Sequence, residues 1–388
     1  MNFLTLGEII KMHGGVVQTG PFGSQLHQRE YTTEGIPVIM PKDIIDGRIV
    51  KTSIARISES KASSLSRHTL SEGSIVFPRR GDISKRAYIT SEDEGALCGT
   101  GCIKIEVPRN QLSARFLYYY LGLPSVVDWL ERNATGTTML NLNTSIMENV
   151  CIPMISLDKQ TKIADVLFAY DELIENNRRR IELLEQAARL IYKEWFVDLR
   201  FPGHEQVKVI DGVPEGWEKA QVKSIITTVP RKKRVKREDY LLLGSIPCID
   251  QSRDFIGGYT DDDDAVIDIG SPIIVFGDHT RVLKYVDFPF ASGADGTQLI
   301  HAKCKGLSQQ YLYFALDALD LSNYFYARHF KFLKNEYILI PNKKLITLFT
   351  GLGLALLEQM GHLREMNIKL AQARDLLLPR LMNGEISV

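Results

Sequence analysis

The side chains of this sequence best suited to chemistry are clusters of arginine and lysine. The densest is the segment 231–237, Arg-Lys-Lys-Arg-Val-Lys-Arg, which holds six cations in seven residues. The pairs Arg79-Arg80 and Lys85-Arg86 stand on either side of a Gly-Asp turn, and the segment 328–331 carries another cluster. Such side chains bind phosphate, and arginine also recognises guanine edges. The clusters therefore indicate nucleic-acid contacts, although one charge run by itself is usually only a solvated surface.

A metal-dependent nuclease site is an alternative use of the polar residues in the first half. Asp43, Glu59 and Lys61 loosely match the carboxylates and lysine of such a site. The spacing is loose enough for chance to produce it. The sequence has no Walker lysine motif, no nucleophile elbow and no complete dinucleotide-binding loop. We therefore expect no catalytic residue, metal or cofactor in this chain, and keep the nuclease as a rival hypothesis.

Composition sets further limits on function. The 388 residues include 47 basic and 47 acidic side chains, so the net charge is zero. A protein that binds nucleic acid alone through a broad basic surface is usually more basic. The five cysteines are scattered and match neither a zinc spacing nor a disulfide framework. There is no apolar run of about 20 residues and no signal-peptide pattern, so we expect a cytoplasmic protein without a membrane partner.

The elements that must position the basic clusters occur twice along the chain. The segment 112–121 recurs as 307–316, and Ile-Pro-Val-Ile at 36–39 recurs as Ile-Pro-Cys-Ile at 246–249. The Gly-Asp pair at 81–82 recurs at 277–278. A repeat of half the chain is too long for a solenoid unit of about 20–50 residues. The pattern predicts a duplicated domain, each copy followed by a long helix.

Heptad spacing predicts these two helices. The first is expected to begin with Asp158 as its N-cap and to continue until Pro202, and the second is expected to end or kink at Pro379. Two narrow apolar seams in one chain can satisfy each other as an antiparallel pair, with Asn177 and Gln359 as polar residues that set the register. The rival arrangement packs each helix on its own domain. The predicted coiled-coil core consists of Ile163, Leu167, Tyr170, Ile174, Asn177, Ile181, Leu184, Ile191, Leu352, Leu356, Gln359, Leu363, Met366, Leu370 and Leu377.

The predicted fold is therefore α+β with a pseudo-twofold internal repeat. Two mixed α/β domains are separated by two long helices that form an antiparallel coiled coil. We place the first domain at residues 1–156, the central helix at 157–200, the second domain at 201–344 and the C-terminal helix at 345–388.

Several motifs resemble those of one protein family, the specificity (S) subunits of type I restriction–modification systems. They are Thr-Gly-Pro-Phe-Gly-Ser-Gln-Leu at 19–26, Gly-Ile-Pro-Val-Ile at 35–39, Arg-Gly-Asp at 80–82, and Ile-Pro at 152–153 followed by Gln160. The resemblance covers nearly the whole chain. The second half departs from it, because it lacks the Gly-Pro-Phe-Gly element and carries the basic run near that place.

The resemblance implies a non-catalytic DNA-recognition subunit for an asymmetric, bipartite double-stranded target. It implies two methyltransferase (M) subunits docked on the helices and restriction (R) subunits beside them. Adenine-N6 methylation and ATP-dependent cleavage, with S-adenosylmethionine, ATP and Mg, would belong to those partners. An S-like subunit of another methylation-based defence system fits the sequence equally well. A coiled-coil scaffold that never touches DNA is a further alternative.

Residue type and loop position select the candidate DNA contacts. In the first domain they are Arg79, Arg80, Lys85, Arg86, Thr137, Thr138 and Asn141. In the second domain they are His279, Arg281, Arg328, His329 and Lys331, with Arg231, Lys232, Lys233, Arg234, Lys236 and Arg237 expected on the DNA backbone.

Overall fold

The computed structural model describes residues 2–136, 140–293, 296–303, 306–323 and 328–388. The chain divides into two compact units, and each long helix contributes to both of them. The first unit is Met1–Asn176 with Met366–Val388, and the second is Asn177–Glu365. Within the described ranges, no helix is long and apolar enough to cross a membrane.

The units are built from helices and short strands. The described helices are α1 (Leu6–His13), α2 (Glu59–Ser64), α3 (Ala114–Tyr120), α4 (Pro124–Asn133), α5 (Thr144–Glu148), α6 (Leu157–Tyr192), α7 (Val222–Ile225), α8 (Gln309–Asp317), α9 (His329–Leu333) and α10 (Lys343–Met382). The first unit's strands are β1 (Phe3–Thr5), β2 (Val16–Thr19), β3 (Tyr31–Thr32), β4 (Ile36–Ile39), β5 (Ile44–Ile45), β6 (Arg48–Ile49), β7 (Ala55–Ile57), β8 (Ile75–Pro78), β9 (Ala87–Tyr88), β10 (Leu97–Cys98), β11 (Cys102–Glu106) and β12 (Cys151–Pro153). The second unit's strands are β13 (Val209–Ile210), β14 (Val213–Pro214), β15 (Glu218–Gln221), β16 (Ile226–Thr228), β17 (Ile246–Ile249), β18 (Gly258–Thr260), β19 (Val266–Ile267), β20 (Ile273–Gly277), β21 (Leu283–Val286), β22 (Phe290–Ser292), β23 (Thr297–Ala302) and β24 (Tyr337–Ile340).

The sheets repeat between the two units. The first unit has a sheet in the order β2-β11-β8-β9, and the second has its counterpart in the order β16-β23-β20-β21. The repeated Ile-Pro segments are β4 and β17. Each of them pairs parallel with one strand, β10 or β22, and antiparallel with another, β7 or β18. The internal repeat predicted from the sequence is therefore largely a repeat of strand order, with one difference: β3 extends the first sheet beside β7, whereas β19 extends the second beside β22.

The repeated aromatic segments form one short helix in each unit. Ser113 accepts a hydrogen bond from the Phe116 backbone N–H at 3.3 Å at the start of α3. Ser308 accepts from the Tyr311 N–H at 3.1 Å at the start of α8. A serine at this position satisfies a helix N–H group that otherwise lacks a partner. Phe116 and Tyr311 are both fully buried, so each capped helix belongs to the core of its own unit.

The long helices α6 and α10 pair in an antiparallel direction, as predicted. In the first unit, Asp171 forms an ion pair with Arg374, and the Asn367 amide donates to the Ile174 carbonyl at 3.2 Å. As residue numbers increase along α6, the residues that they contact on α10 have lower numbers. In the second unit, Arg364 contacts Glu185 at 3.0 Å.

Three of the predicted core positions on α10 are wrong. Leu352 and Met366 are 42% and 50% exposed, and Gln359 is also exposed. Gly353, Leu357, Met360, Leu378 and Leu381 are buried, and Arg364, Asn367, Ala371 and Arg374 are half-buried. The covered face of α10 is therefore wider than one leucine seam. It includes an asparagine and two paired arginines, which apolar spacing does not reveal.

The other predicted core positions are buried or half-buried. Ile163, Leu167, Ile174, Asn177 and Leu363 are buried. The half-buried members are Tyr170, Ile181, Leu184, Ile191, Leu356, Leu370 and Leu377.

The ends of the long helices differ from the sequence prediction. Helix α6 starts before Asp158, and the Ser156 hydroxyl accepts from the Lys159 N–H at 3.5 Å. It ends at Tyr192 and is followed by a π-helical turn, Lys193–Val197, rather than continuing to the proline at 202. Helix α10 passes through Pro379, which costs one backbone hydrogen bond, because buried Leu381 and Met382 hold its last turn in the core.

Candidate nucleic-acid interface

In the first unit, strand β8 leads directly into the basic pair Arg79-Arg80. The Arg79 backbone N–H donates to the Gly101 carbonyl at 2.6 Å, and its carbonyl accepts from the Leu142 N–H at 2.8 Å. The Arg79 Nε donates to Asn141 Oδ1 at 3.2 Å. The structure thus brings together two predicted contacts, Arg79 and Asn141, while the neighbouring Arg80 is exposed.

A glycine-rich loop lies beside this arginine. The Arg79 guanidinium carbon is 5.8 Å from the centre of the Phe22 ring, and Phe22 is 53% exposed. The Thr100 hydroxyl donates a hydrogen bond to the Pro21 carbonyl at 2.9 Å and so holds this loop against the turn that contains Thr100. A Cβ at Gly20 would lie 2.0 Å from the Gly99 oxygen, so only glycine allows this close approach. Phe22 was not among the predicted contacts, although the Gly-Pro-Phe-Gly motif contained the signal.

Arg86, another predicted DNA contact, packs against helix α3. Its Nε donates to the Tyr118 carbonyl at 2.8 Å, and its guanidinium carbon lies 4.9 Å from the centre of the Tyr118 ring. A Cβ at Gly122 would lie 1.6 Å from its Nη2 atom. Arg86 therefore fastens the loop after β8 to helix α3. Its neighbour Lys85 is exposed and lies 3.7 Å from Asp82.

In the second unit, residues from distant segments surround one cavity of about 450 Å³. It is lined by Arg231, Arg234, Asp278, His279, Gly296, Gln298 and Arg328. Four of these were predicted DNA contacts: Arg231, Arg234, His279 and Arg328. Strand β20 leads to Asp278 and His279, as β8 leads to the arginine pair in the first unit. Gln298 and Asp278 were missed, because neither belongs to a basic cluster.

Arg231 is the best-anchored cation of this cavity. Its Nη2 donates to the Thr297 carbonyl at 2.6 Å and to Gln298 Oε1 at 2.9 Å. Partial burial lowers the pKa of Arg231, the charge of Arg234 adds to this effect, and the Asp278 carboxylate opposes it. Asp278 is buried, and its Oδ1 accepts from the Phe330 N–H at 2.8 Å.

His329 was also predicted to contact DNA. Its ring is buried, and its Nδ1 lies 2.8 Å from the Asp278 carbonyl, so it faces the protein interior. Arg281 is exposed, adopts a positive φ of 62°, and donates from Nη1 to the Leu321 carbonyl at 2.9 Å. Lys331 is exposed on α9. The last two predicted contacts, Thr137 and Thr138, lie outside the described residues.

The rival nuclease residues are engaged in local contacts. Asp43 is buried and accepts from the Met40 N–H at 2.9 Å, and burial raises the pKa of this carboxyl group. Lys61 forms an ion pair with Glu30 at 2.8 Å. Over the part of the chain that the structure describes, no three histidine, cysteine or acidic side chains are grouped to hold a metal ion.

Comparisons with known proteins agree with this geometry. The family model described as the type I restriction modification DNA specificity domain matches residues 2–186. The specificity subunit of the type I restriction enzyme MjaIX of Methanocaldococcus jannaschii is 27% identical, with 93% of this chain and 89% of the relative covered. The MjaVIII specificity subunit of the same organism is 26% identical over 49% of this chain and 45% of the relative.

A solved structure shares the fold. The crystal structure of the type I restriction–modification S subunit from M. genitalium covers 98% of this chain and 95% of its own, with 18% identity and a TM-score of 0.54. This chain is similar to specificity subunits of type I restriction–modification systems over nearly its whole length, and the DNA specificity domain of that family matches its first part. The basic residues Arg79 and Arg80, beyond β8, lie within the matched range.

Proposed function

We propose that this chain is the subunit that sets the DNA sequence specificity of a type I complex, and that its two recognition domains, residues 1–156 and 201–344, read different halves of an asymmetric bipartite target. The supporting observation is the repeated strand order with different side chains beyond corresponding strands. Arg79 and Arg80 follow β8, whereas Asp278 and His279 follow β20. Similar scaffolds with different contact residues suit two different base sequences.

We further propose that the helices dock two methyltransferase (M) subunits and that restriction (R) subunits join this assembly. Leu183, Leu190 and Val197 are 64%, 61% and 54% exposed and recur every seven residues from α6 into the π-helical turn. An exposed apolar stripe with this period suits packing against a partner helix. Methylation, with S-adenosylmethionine, and cleavage, with ATP and Mg, would then be carried out by the partners.

Adenine methylation in a host tests the DNA-recognition proposal. The chain would be co-expressed with its M subunit in a host without other adenine methylation, followed by methylation-sensitive genome sequencing. We expect one interrupted motif with two defined halves. Arg80→Ala with Lys85→Ala should reduce methylation through the first unit, and Arg234→Ala with Arg328→Ala through the second. An unmodified genome, with the assembled complex demonstrated by size-exclusion chromatography, would contradict the proposal.

A further inference from the structure

The basic run 231–237 does not act as one uniform charged surface. Lys233 forms an ion pair with Asp262 at 2.6 Å, and Lys236 forms one with Glu238 at 3.1 Å. Between them, Val235 is buried and its N–H donates to the Ser292 carbonyl. Of this run, Arg231 and Arg234 are the two residues that line the cavity of the second unit.

Arg231 is held in place and still has donors available. Both hydrogen bonds to Thr297 and Gln298 come from Nη2, and Thr297 is buried in the central strand β23. Arginine has five N–H donors in a planar fork. Because both bonds use Nη2, the donors on Nε and Nη1 of Arg231 have no hydrogen-bond partner among the described residues. An arginine whose orientation is fixed by the protein loses little conformational entropy when it binds a planar acceptor pair.

The residues near Arg231 favour a base edge over a phosphate as its acceptor. A DNA phosphate is an anion, and the buried carboxylate of Asp278, whose charge acts on Arg231, offsets part of the attraction that the arginines of the cavity exert on it. A base edge carries no net charge, and guanine presents two adjacent acceptors, N7 and O6, in the major groove. The exposed cations Arg234 and Arg328 remain suited to phosphates on either side.

We propose that Arg231 reads a guanine in the half of the DNA target bound by the second unit, a refinement that rests on the proposed function. This assigns to Arg231 a base-specific role that differs from the backbone role expected from the sequence. It also makes Gln298 a positioning residue, since its side-chain oxygen orients the guanidinium.

The test uses the assembled complex of this chain with its M subunit and duplexes carrying the methylated motif. Each guanine is replaced in turn by 7-deazaguanine, which lacks only the N7 acceptor. For the wild type, one replacement in the second half of the motif should weaken binding about tenfold. In Arg231→Ala the same replacement should have no further effect. Arg231→Lys should not restore the discrimination, because lysine lacks the planar fork.

Lys232→Ala is the matched control, since Lys232 is an exposed cation of the same run that does not line the cavity. It should retain full sensitivity to 7-deazaguanine. The proposal is overturned if the second half contains no guanine, or if each replacement costs Arg231→Ala as much as it costs the wild type. It is also overturned if Arg231→Ala weakens binding to all sequences equally. If the assembled wild-type complex binds no specific motif, the proposed function itself fails.

Discussion

At the scale of single residues, neighbours in one basic cluster differ in exposure and in contacts. Lys85 extends from the surface, whereas Arg86 is held by the Tyr118 carbonyl and covers the Tyr118 ring. Both were predicted to contact DNA because the sequence shows only charge. The difference arises because Gly122 leaves room for the Arg86 guanidinium against the protein.

Replacement of Arg86 should therefore change stability rather than recognition. Arg86→Ala should lower the free energy of unfolding by about 1–3 kcal/mol, since it removes a charge-assisted hydrogen bond and leaves a gap beside Gly122. Lys85→Ala should stay within about 0.5 kcal/mol of the wild type and weaken only DNA binding. Urea denaturation of the purified chain measures the first effect, and binding by the assembled complex measures the second.

The same two variants would also reveal the opposite outcome. If Arg86→Ala unfolds at the wild-type urea concentration and instead loses DNA affinity, its side chain leaves Tyr118 to contact DNA. The original sequence prediction would then be correct.

At the scale of elements, ion pairs occupy part of the interface between α6 and α10. In the first unit, Asp171 pairs with Arg374 and also accepts a 2.5 Å hydrogen bond from the Tyr119 hydroxyl. In the second unit, Arg364 contacts Glu185, and its guanidinium carbon lies 4.0 Å from the centre of the Phe255 ring. Both arginines stand at positions where a simple coiled coil would have apolar residues. The interface therefore depends on electrostatic complementarity as well as on apolar packing.

A double-mutant cycle on Asp171 and Arg374 should show this dependence. The side chains are 27% and 26% exposed, so each single alanine variant removes a half-buried counter-ion from its partner. Arg374 then keeps its exposed neighbour Asp375, at 2.8 Å, as a second partner. We expect a coupling free energy of about 1–3 kcal/mol from thermal or urea unfolding.

Arg189 and Asp317 provide the comparison for this cycle. They are 2.7 Å apart, but the Arg189 side chain is 50% exposed. Their coupling should be about 0.2–1 kcal/mol, as for surface ion pairs. Additive single effects at Asp171 and Arg374 would show that the ion pair does not stabilise the helix pair.

At the scale of the whole molecule, the two units share strand order but present different side chains. If they read different parts of one target, variants in separate units should act independently on binding. Arg80→Ala and Arg234→Ala should therefore have additive free-energy costs, within about 0.5 kcal/mol. Each should also reduce the slope of log affinity against log salt by about 0.9 for every DNA phosphate that the variant no longer neutralises.

Titration of the assembled complex with motif DNA over a range of salt concentrations measures both quantities. The doubly substituted chain is compared with each single variant and with Lys232→Ala. A double variant no weaker than either single one would indicate that both side chains bind the same part of the DNA, which contradicts a bipartite target.

Features that local spacing encodes could be predicted from the sequence. The repeated Ile-Pro segments are equivalent strands, the repeated aromatic segments are equivalent capped helices, and the heptads form an antiparallel pair. Motifs of the first half also sufficed to recognise the family. These features depend on residues close together in the chain, so their pattern is visible in the sequence.

The direction in which individual side chains face could not be predicted from the sequence. The structure leaves Leu352, Gln359 and Met366 of α10 exposed, turns Arg86 and His329 toward the protein, and gathers Arg231, His279 and Arg328 around one cavity. The physical reason is that charge and apolar spacing can be read along the sequence, whereas the residue that a side chain contacts is set only when distant segments come together. An arginine beside a carboxylate can occupy an interface position that usually holds leucine, and its sequence neighbours do not reveal that carboxylate.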